Sequence, residues 1–589
     1  MAYSKYKDEF PEITIQTIKN CFKSIGIELE ERVIKKMNGI YSCTIIDNKN
    51  GWTAAGKGTT EKYCLASGYA EAMEHFCSYC AYDTTLLPIE VVKYHGFYRY
   101  PDEIIHDINN LDKVNQLVYN DIKEAFELEN DIFTLDQAVI AWKEFLNSNK
   151  IFLVPYYSVK NDEITYLPED IIGKMCGSTG GGAGNTPEEA IGHALDEISE
   201  RYVKYIIYSQ KLTPPDISKE FIKIHCSELY ETILSIENGG NYKILVKDAS
   251  LGKGYPVLAV CLINQSRQSY IVNFGAHPTF AVALERCLTE MFQFISLDNI
   301  NENRHKQMAV WTSFENGVYS IKNWTSLLRD DTGCIPIEFF WGDFSWEFKP
   351  WGFFKVYNNK MGVNQQINNF LKNNVKDIFI RNFSFLGFPV FRVYIPEISC
   401  SHFTINEKTM VLFKKSMKLV NEILNGSIYK LKSNELELLK NALSNNTYIS
   451  TWIFRSINEK YIDLLYAALV KEEDGEEYAI PVLKRINTGF SKALIEEQNM
   501  KKKGFSIEER NRMVNMFYGK CILEIVQDWR KENPFISIIL SLKELGIISD
   551  REKEPYLESI QYTHCNYKNV MCRNIPSQQL IRNILSKES

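Results

Sequence analysis

The chain has 589 residues, 45% hydrophobic and 24% charged, which is ordinary for a globular protein and enough for two or three domains with ample cores. A formal net charge of −7 argues against a general nucleic-acid binder or a membrane-surface protein. The opening MAYSKYKDEF does not read as a secretory signal, and no apolar run is long enough to span a bilayer, so a cytoplasmic location is expected.

Lys5 and Lys7 lie in a polar N-terminal stretch, and Ile13–Glu31 reads as one amphipathic helix. Gly39–Thr53 is rich in β-formers and reads as strands. Gly56-Lys57-Gly58-Thr59-Thr60 then opens a second helix. No Ser or Thr directly follows Lys57, so this is not a Walker A loop. Lys57 has the reach to meet a phosphate, and equally to be a surface lysine. Cys77 and Cys80 form the only C-x-x-C pair among 14 cysteines. Without a second pair or nearby histidines it reads as buried thiols at helical spacing, in a reducing compartment. Asp83–Glu163 gives a weak pattern with a helical stretch near Leu135–Leu146, and Phe152–Leu167 alternates as strands do.

Gly177–Tyr202, GSTGGGAGNTPEEAIGHALDEISERY, is the stretch around which the chain is organised. Its glycines Gly177, Gly180, Gly181, Gly182 and Gly184 allow backbone N–H groups to approach an anion closely. A helix follows, with Thr186 as N-cap, Pro187 at the first helical position and Glu189 completing a Thr-x-x-Glu capping box. Its N-terminus favours phosphate. Glu189, His193, Glu197 and Glu200 share one face, while Ile191, Leu195, Ile198 and Val203 face inward. Such an acidic line can be a solvated face, or it can hold a hard cation such as Mg²⁺ beside a nucleotide.

An internal repeat favours the cation. A shift of 126 residues sets Gly58, Thr60, Glu71 and Glu74 on Gly184, Thr186, Glu197 and Glu200. A shift of 93 sets Thr186, Ala190, Glu197 and Glu200 on Thr279, Ala283, Glu290 and Gln293. Each copy carries a polar triplet at i, i+4, i+7: Ser67/Glu71/Glu74, His193/Glu197/Glu200 and Arg286/Glu290/Gln293. A solvated face has no reason to repeat one spacing three times, whereas three helices converging on one ligand do. The acidic pairs suit a metal and Arg286 suits phosphate oxygens.

Tyr242–Asn264 reads as two strands around a turn at Asp248–Tyr255, and Ser269–Phe274 as a strand leading through His277-Pro278 into the third repeated helix. His277 reads as structural. Asn301–Ile395 is aromatic-rich, with Trp341, Trp346 and Trp351 suggesting core or a peptide groove, and Asp377–Ile395 gives two strands. Cys400 and His402 are too poorly placed, at i and i+2, for a nucleophile pair. From about Asn406 helical periods dominate: Leu412/Leu419/Ile423, Tyr461–Val470, and Ser506–Glu532 opening with a Ser506-x-x-Glu509 capping box. The expectation is an α+β domain of repeated strand–helix units over residues 1–405, then an all-α domain over 406–589 for docking or dimerisation.

The triplets, together with Asn185-x3-Glu189-x7-Glu197-x2-Glu200-Arg201 and the strings DASLGKGYP and FGAHPTFAVALER, resemble the ATP-binding signature of the YcaO family, over roughly Met1 to His402. The resemblance implies an ATP- and Mg²⁺-dependent enzyme that activates an amide: a nucleophile adds to the carbonyl and the amide oxygen is phosphorylated. It implies that Glu71, Glu74, Glu197 and Glu200 hold Mg²⁺. Ser67, Asn185, Glu189, Arg201, Arg286 and Gln293 would contact nucleotide or orient ligands, with Lys7 as a phosphate-contacting lysine. Gly182 stands where the family's stand-alone type has serine, and His75 where the first motif often has arginine. IRNILSKES lacks the Pro-x-Pro-x-Pro tail of azoline-forming cyclodehydratases, and no second C-x-x-C marks a fused zinc-bearing domain. These two absences favour the stand-alone type, which is linked to methylthiolation of an aspartate on a small-subunit ribosomal protein as accessory factor to a radical-SAM methylthiotransferase. A cyclodehydratase or thioamide synthase acting on a precursor peptide, and an ATP-binding scaffold without catalysis, are the alternatives. A homodimer is expected from the resemblance, and neither membrane nor direct nucleic-acid binding.

Overall fold

The computed structural model describes residues 7–37, 39–48, 52–78, 100–107, 150–238, 240–266, 269–292, 306–307, 337–351, 358–399, 407–444, 459–548, 570 and 573–585. The chain divides into two units, one of Met1–Ile405 with Ser559–Ser589 and one of Asn406–Glu558. The expected second domain over 406–589 is therefore corrected at its end. The reason is packing: Ile581 and Ile584 join the core of the first unit, and Gln578 exchanges hydrogen bonds of 2.7 and 3.1 Å with the backbone of Asn382.

The first unit is mixed helix and sheet, and the strand pairings among the described residues are antiparallel. β1 (Glu30–Met37), β2 (Ile40–Asp47) and β3 (Trp52–Gly58) form one sheet in sequence order. β4 (Ile104–Asp107), β5 (Lys150–Ser158), β6 (Glu163–Leu167), β7 (Gly181–Ala183), β12 (Phe379–Asn382) and β13 (Val390–Tyr394) form a second, in the order β4-β5-β12-β13-β7 with β6 on β5. β8 (Tyr242–Asp248), β9 (Val257–Asn264), β10 (Ser269–Ala276) and β11 (Lys306–Gln307) form a third, in the order β11-β10-β9-β8. The helices that matter below are α1 (Pro11–Ser24), α2 (Glu61–Cys77), α3 (Pro187–Ser209), α4 (Phe280–Met291), α5 (Asn359–Lys372) and α6 (Leu580–Leu585).

The third sheet shows how sequence alternation builds two cores. On β9, Val257, Ala259 and Cys261 face a core shared with Ile198, Val203 and Ile207 of α3. Leu258, Val260 and Leu262 face the opposite core, shared with Phe280, Leu284 and Leu288 of α4. Successive strand side chains point to opposite faces, so one apolar run feeds both.

The threefold repeat has a physical cause visible at one glycine. Gly56, Gly182 and Gly275 occupy the same repeat position on β3, β7 and β10. A Cβ on Gly56 would lie 2.4 Å from Cys64 O and 2.4 Å from Gly68 N of α2. On Gly182 it would lie 2.2 Å from Ala190 O and 2.9 Å from Ala194 N of α3. On Gly275 it would lie 2.8 Å from Ala283 O and 2.9 Å from Cys287 N of α4. The same two helix backbone atoms recur in register. Each of the three sheets thus presses one strand directly against the first turns of the helix that follows it. That close approach fixes which helix face turns toward the site.

Several expectations change in detail. The first helix stops at Ser24 and not at Glu31, because Gly26 adopts φ +80° and the chain turns into β1. α5, capped by the Asn358 side chain at Met361 N, was not foreseen. Trp341 is exposed, while Trp346 donates at 3.0 Å to Asp248 and Trp351 packs edge-on against Phe280. The Leu135–Leu146, Cys80 and Cys400/His402 readings lie outside the described residues.

The second unit is helical throughout its described residues. The Ser506/Glu509 capping box forms, but Ser506–Glu532 is two helices, Ile507–Tyr518 and Lys520–Trp529, broken at Gly519 with φ +85°. Its interior holds a fully buried acid, Glu497, which accepts from Arg510, from Arg530 Nε at 2.9 Å and from Gln498 at 3.2 Å. Glu497→Gln keeps the volume but leaves two arginines without their counter-charge. It should lower urea-unfolding stability by roughly 2–3 kcal/mol, the scale of hydrogen bonds to charged groups.

Candidate functional site

The candidate site lies where α2 and α3 present their polar triplets and α4 presents Arg286 and Glu290. α2 is capped by Thr60, whose side chain accepts from Tyr63 N, and α3 by Thr186, which accepts from Glu189 N at 3.2 Å. Glu71 and Glu74 project from α2, and Glu74 is buried. Glu197 projects from α3 and is held on two sides. Gly180 N donates to its Oε2 at 3.0 Å, and Arg201 pairs with its Oε1 at 2.7 Å. Arg201 is fixed in turn by donation to Thr179 Oγ1 at 2.7 Å.

These carboxylates crowd one another. Burial pushes Glu71 up to about 7, with the nearby Glu197 charge adding to the shift and Lys57 opposing it. Glu74 is pushed well above the usual carboxylate range by burial, then by Glu197 and Glu71. Lys57 reaches in from β3 and ion-pairs with Glu290 of α4. Burial brings its ammonium down to about 8 despite Glu200, Glu71 and Glu197 around it. His75 is held below the usual imidazole range by burial, and stands near Glu197, Arg201 and Arg392. The Ser67 hydroxyl sits against β3, 3.5 Å from Lys57 N.

A cationic side adjoins the acidic one. Arg286 of α4 donates to Asp196 and to Ala276 O. His193 and His277 are pushed well below the imidazole range, by burial first and by Arg286 and Lys7 nearby. At physiological pH both are neutral. His193 Nδ1 is buried with no hydrogen-bond partner among the described residues, and so is Thr279 Oγ1. His277 Nδ1 accepts from Thr279 N at 2.9 Å, a local structural bond.

At the start of α3, Glu189 departs from the capping-box expectation. Thr186 makes its half of the box, but the Glu189 carboxylate turns elsewhere. It accepts from Lys7 Nζ at 2.8 Å, Asp8 N at 3.2 Å and Asn185 Nδ2 at 3.1 Å. Burial would raise Glu189, but these donors, Lys7 first, hold it below the ordinary range. Asn185 also accepts from Thr14 Oγ1 of α1 at 2.7 Å. Lys7, Asn185 and Glu189 therefore form one constellation.

The glycine run takes a different role from the expected phosphate cradle. A Cβ on Gly180 would meet Val393 O at 2.1 Å, on Gly181 the Glu74 carboxylate at 2.6 Å, and on Gly184 Ala190 N at 2.6 Å. The space beside these glycines is filled by the protein itself. At Gly182 the missing side chain faces helix backbone, so no ligand contact is lost there. Gln293 lies outside the described residues. Asp196, Gln366 and Arg392 are site neighbours that the sequence pattern did not flag. Arg392 is a buried arginine on β13 that pairs with Glu169 at 2.5 Å and offsets part of the Glu74 shift.

Chemically the arrangement joins all-oxygen donors to a cationic side, the pairing that metal-bound polyphosphate requires. Among the described residues no three His, Cys, Asp or Glu side chains form a preassembled metal cage. Mg²⁺ does not need one: it binds through one or two carboxylates, substrate phosphates and waters. Carboxylates kept partly protonated by burial and mutual repulsion are groups that a divalent cation would relieve. The residues present fit Mg²⁺.

The fold and site thus define a nucleotide- and divalent-cation-binding enzyme class. The chain belongs to the YcaO family: residues 55–399 match the family described as YcaO cyclodehydratase, ATP- and Mg²⁺-binding. Its cofactors are ATP and Mg²⁺. The chain is 28% identical over 399 residues to the ribosomal protein S12 methylthiotransferase accessory factor YcaO of Escherichia coli, covering 67% of this chain and 65% of that protein. It is also 28% identical over 405 residues to an uncharacterized protein of Haemophilus influenzae, with 67% and 65% covered. The chain thus spans 65% of the length of each of these curated relatives. Among solved structures it is similar to YcaO from Methanopyrus kandleri bound with AMPPCP and Mg²⁺, at 15% identity and TM-score 0.41, over 67% of this chain and 94% of that one. It is also similar to a heterocyclase in complex with substrate and cofactor, at 17% identity and TM-score 0.44, over 67% and 52%. Both scores are below 0.5, and the family assignment rests on the sequence match. No described helix is long and apolar enough to cross a membrane.

Proposed function

We propose that this chain is an ATP-dependent, amide-activating enzyme that serves as accessory factor in methylthiolation of an aspartate on a small-subunit ribosomal protein. A radical-SAM methylthiotransferase is its partner in this reading, the cytoplasm its compartment and a homodimer its working state. The observation that carries the enzymatic part is the meeting of Glu71, Glu74, Glu197, Glu200 and Arg286, from three repeated helices, with Lys57 of β3. Mg²⁺ held by the four glutamates would neutralise charge on the phosphate oxygens. Arg286, Lys57 and Lys7 would bind the phosphate chain, with Asn185 and Glu189 contacting the nucleotide or orienting its ligands. Arg201 and Gly180 N hold Glu197 so that it need not reorganise when ligand arrives. Ser67 and Gln293 would complete the ligand contacts. Phosphorylation of an amide oxygen turns a poor leaving group into a good one, and the protein's part is positioning and charge neutralisation. The accessory role rests on the likeness to the E. coli protein of that name.

Backbone modification of a precursor peptide, as cyclodehydratase or thioamide synthase, is the second reading, favoured by the family's description. Two measurements separate these. Calorimetry on the wild type should show ATP binding only with Mg²⁺, weakened at least about tenfold in Glu200→Ala, the size of one lost charge contact. Mass spectrometry of ribosomal proteins from cells with and without the gene should show the methylthio mass lost from one small-subunit protein. An unchanged ribosomal mass with intact Mg²⁺-dependent ATP turnover moves the peptide reading to first place. Mg²⁺-dependent ATP binding without turnover leaves the ATP-binding scaffold.

A further inference from the structure

Arg286 is held from behind by a carboxylate that the repeat does not call for. Its Nη1 donates at 2.7 Å to Asp196 Oδ2 and at 2.7 Å to Ala276 O, the last residue of β10. Asp196 Oδ1 accepts at 2.9 Å from Gln366 Nε2 of α5. Asp196 and Gln366 are each 3% exposed, while Arg286 keeps 22% of its side chain open. One nitrogen of the guanidinium is therefore spent on protein acceptors. Its other N–H groups make no hydrogen bond among the described residues.

The equivalent positions in the other copies are Ala70 and Thr289, so an acid at Asp196 is no part of the repeat. Burying a carboxylate costs several kcal/mol unless it is paired and its lone pairs are satisfied, as order-of-magnitude transfer and mutational data show. A position needing only to pack would carry a small or apolar residue, as the first copy does. Here three elements, α3, α4 and α5, each spend a polar side chain on one interaction, and its open end is the guanidinium. A planar fork held at one nitrogen presents the rest in a fixed direction, which a free arginine with several rotatable bonds does not.

We propose that Asp196, backed by Gln366, is the positioning residue that fixes Arg286 for the phosphate chain of the nucleotide. The inference rests on the reading of Arg286 as a phosphate contact. Asp196 touches no ligand. Removing it leaves Arg286 present but free to swing, so recognition of the phosphates that Arg286 meets weakens while the contacts of Lys7, Asn185 and Glu189 stay.

The experiment is a double-mutant cycle on the full chain, read by calorimetry with Mg²⁺·ATP and, in parallel, AMP. Asp196→Asn should weaken Mg²⁺·ATP about tenfold, the loss of one charge-assisted contact, and leave AMP within about twofold. Arg286→Lys should weaken Mg²⁺·ATP as well, and adding Asp196→Asn to it should cost little more, because the fork it holds is gone. If Arg286→Lys binds Mg²⁺·ATP like the wild type, the phosphate-contact reading itself fails. If Arg286→Lys is weakened but Asp196→Asn is not, the positioning role is wrong. The same holds if the two effects add in full, or if AMP weakens as much as ATP. Gln366→Leu covers the case in which Asp196→Asn does not fold. It leaves the ion pair but removes its backing, and a selective loss of Mg²⁺·ATP supports the proposal where equal affinity overturns it.

Discussion

Glu197→Gln should abolish Mg²⁺-dependent nucleotide binding, by about 100-fold or more, while leaving the metal-free protein as stable as the wild type or more so. The two halves come from one fact. Glu197 lies close to both α2 acids, and its charge helps to raise both Glu71 and Glu74. Glutamine keeps the shape and the oxygen that accepts from Gly180 N at 3.0 Å, so the loop before β7 stays anchored. It removes the charge that Glu71 and Glu74 must tolerate, which relieves the empty site. It also removes the charge that Mg²⁺ needs, which empties the site for good. Arg201 loses its partner, but it retains Thr179 at 2.7 Å and is partly open to water. Calorimetry for binding and thermal melts for stability read the two halves independently. Mg²⁺·ATP affinity within about threefold of wild type would remove Glu197 from the metal site.

The pH response has the same origin. Glu71 titrates at about 7 when folded, against an ordinary carboxylate value near 4.5. A carboxyl that holds its proton more tightly in the folded state favours folding most below its unfolded pKa. That contribution is lost as pH rises from about 4.5 through 7, then stays constant. Metal-free protein should therefore lose stability across that window, and Mg²⁺·ATP should restore more of it at pH 8 than at pH 6. Because binding must displace those protons, the binding enthalpy at pH 7 should depend on the ionisation heat of the buffer. Glu197→Gln should blunt both effects.

What could be seen in the sequence was local. The Thr60 and Thr186 caps and the Ser506/Glu509 box each depend on residues within one turn, and they fold as their chemistry dictates. What could not be seen depends on atoms brought from far away. Asp196 sits between His193 and Glu197 and looks like one more acid on an acidic helix. Its partners lie 90 and 170 residues on, so nothing near it marks it as a clamp. Glu189 looks like a capping-box residue because the spacing is right, yet Lys7, 182 residues earlier, wins its carboxylate. Glu30 and Glu31, the first residues of β1, read as the end of the first helix until Gly26 turns the chain and β2 offers them a ladder. α5 carries Asn-rich sequence of low helix propensity and is held by packing on α3, where Val363 and Gln366 meet Gly192 and Asp196.

The glycines gave the most misleading local signal, and they carry the second large prediction. Gly182→Ala should destabilise the protein by roughly 4 kcal/mol or more, above the usual 1–3 kcal/mol of an overpacked core. The added Cβ would stand 2.2 Å from Ala190 O, and neither partner can yield. Ala190 O belongs to the first turns of α3, which Thr186 and Glu189 hold in place. Gly182 is pinned from behind by its pairing with Phe391 on β13. Moving β7 away would drag Gly181 off the Glu74 carboxylate and Gly180 off Glu197, so the acidic side of the site would loosen with the fold. Gly56→Ala, with both contacts at 2.4 Å, should behave alike, and Gly275→Ala, at 2.8 Å and beyond, should be milder. The control is Gly192→Ala on the same helix, where a Cβ meets only Val363 Cγ2 at 3.5 Å, an ordinary contact. There the lower backbone entropy of alanine should stabilise by roughly 0.5–1 kcal/mol. Urea unfolding of the four variants should rank them in that order, with opposite sign for the last. Equal stability of Gly182→Ala and wild type would mean that the strands do not press on their helices, and the physical cause assigned to the threefold glycine would have to be abandoned.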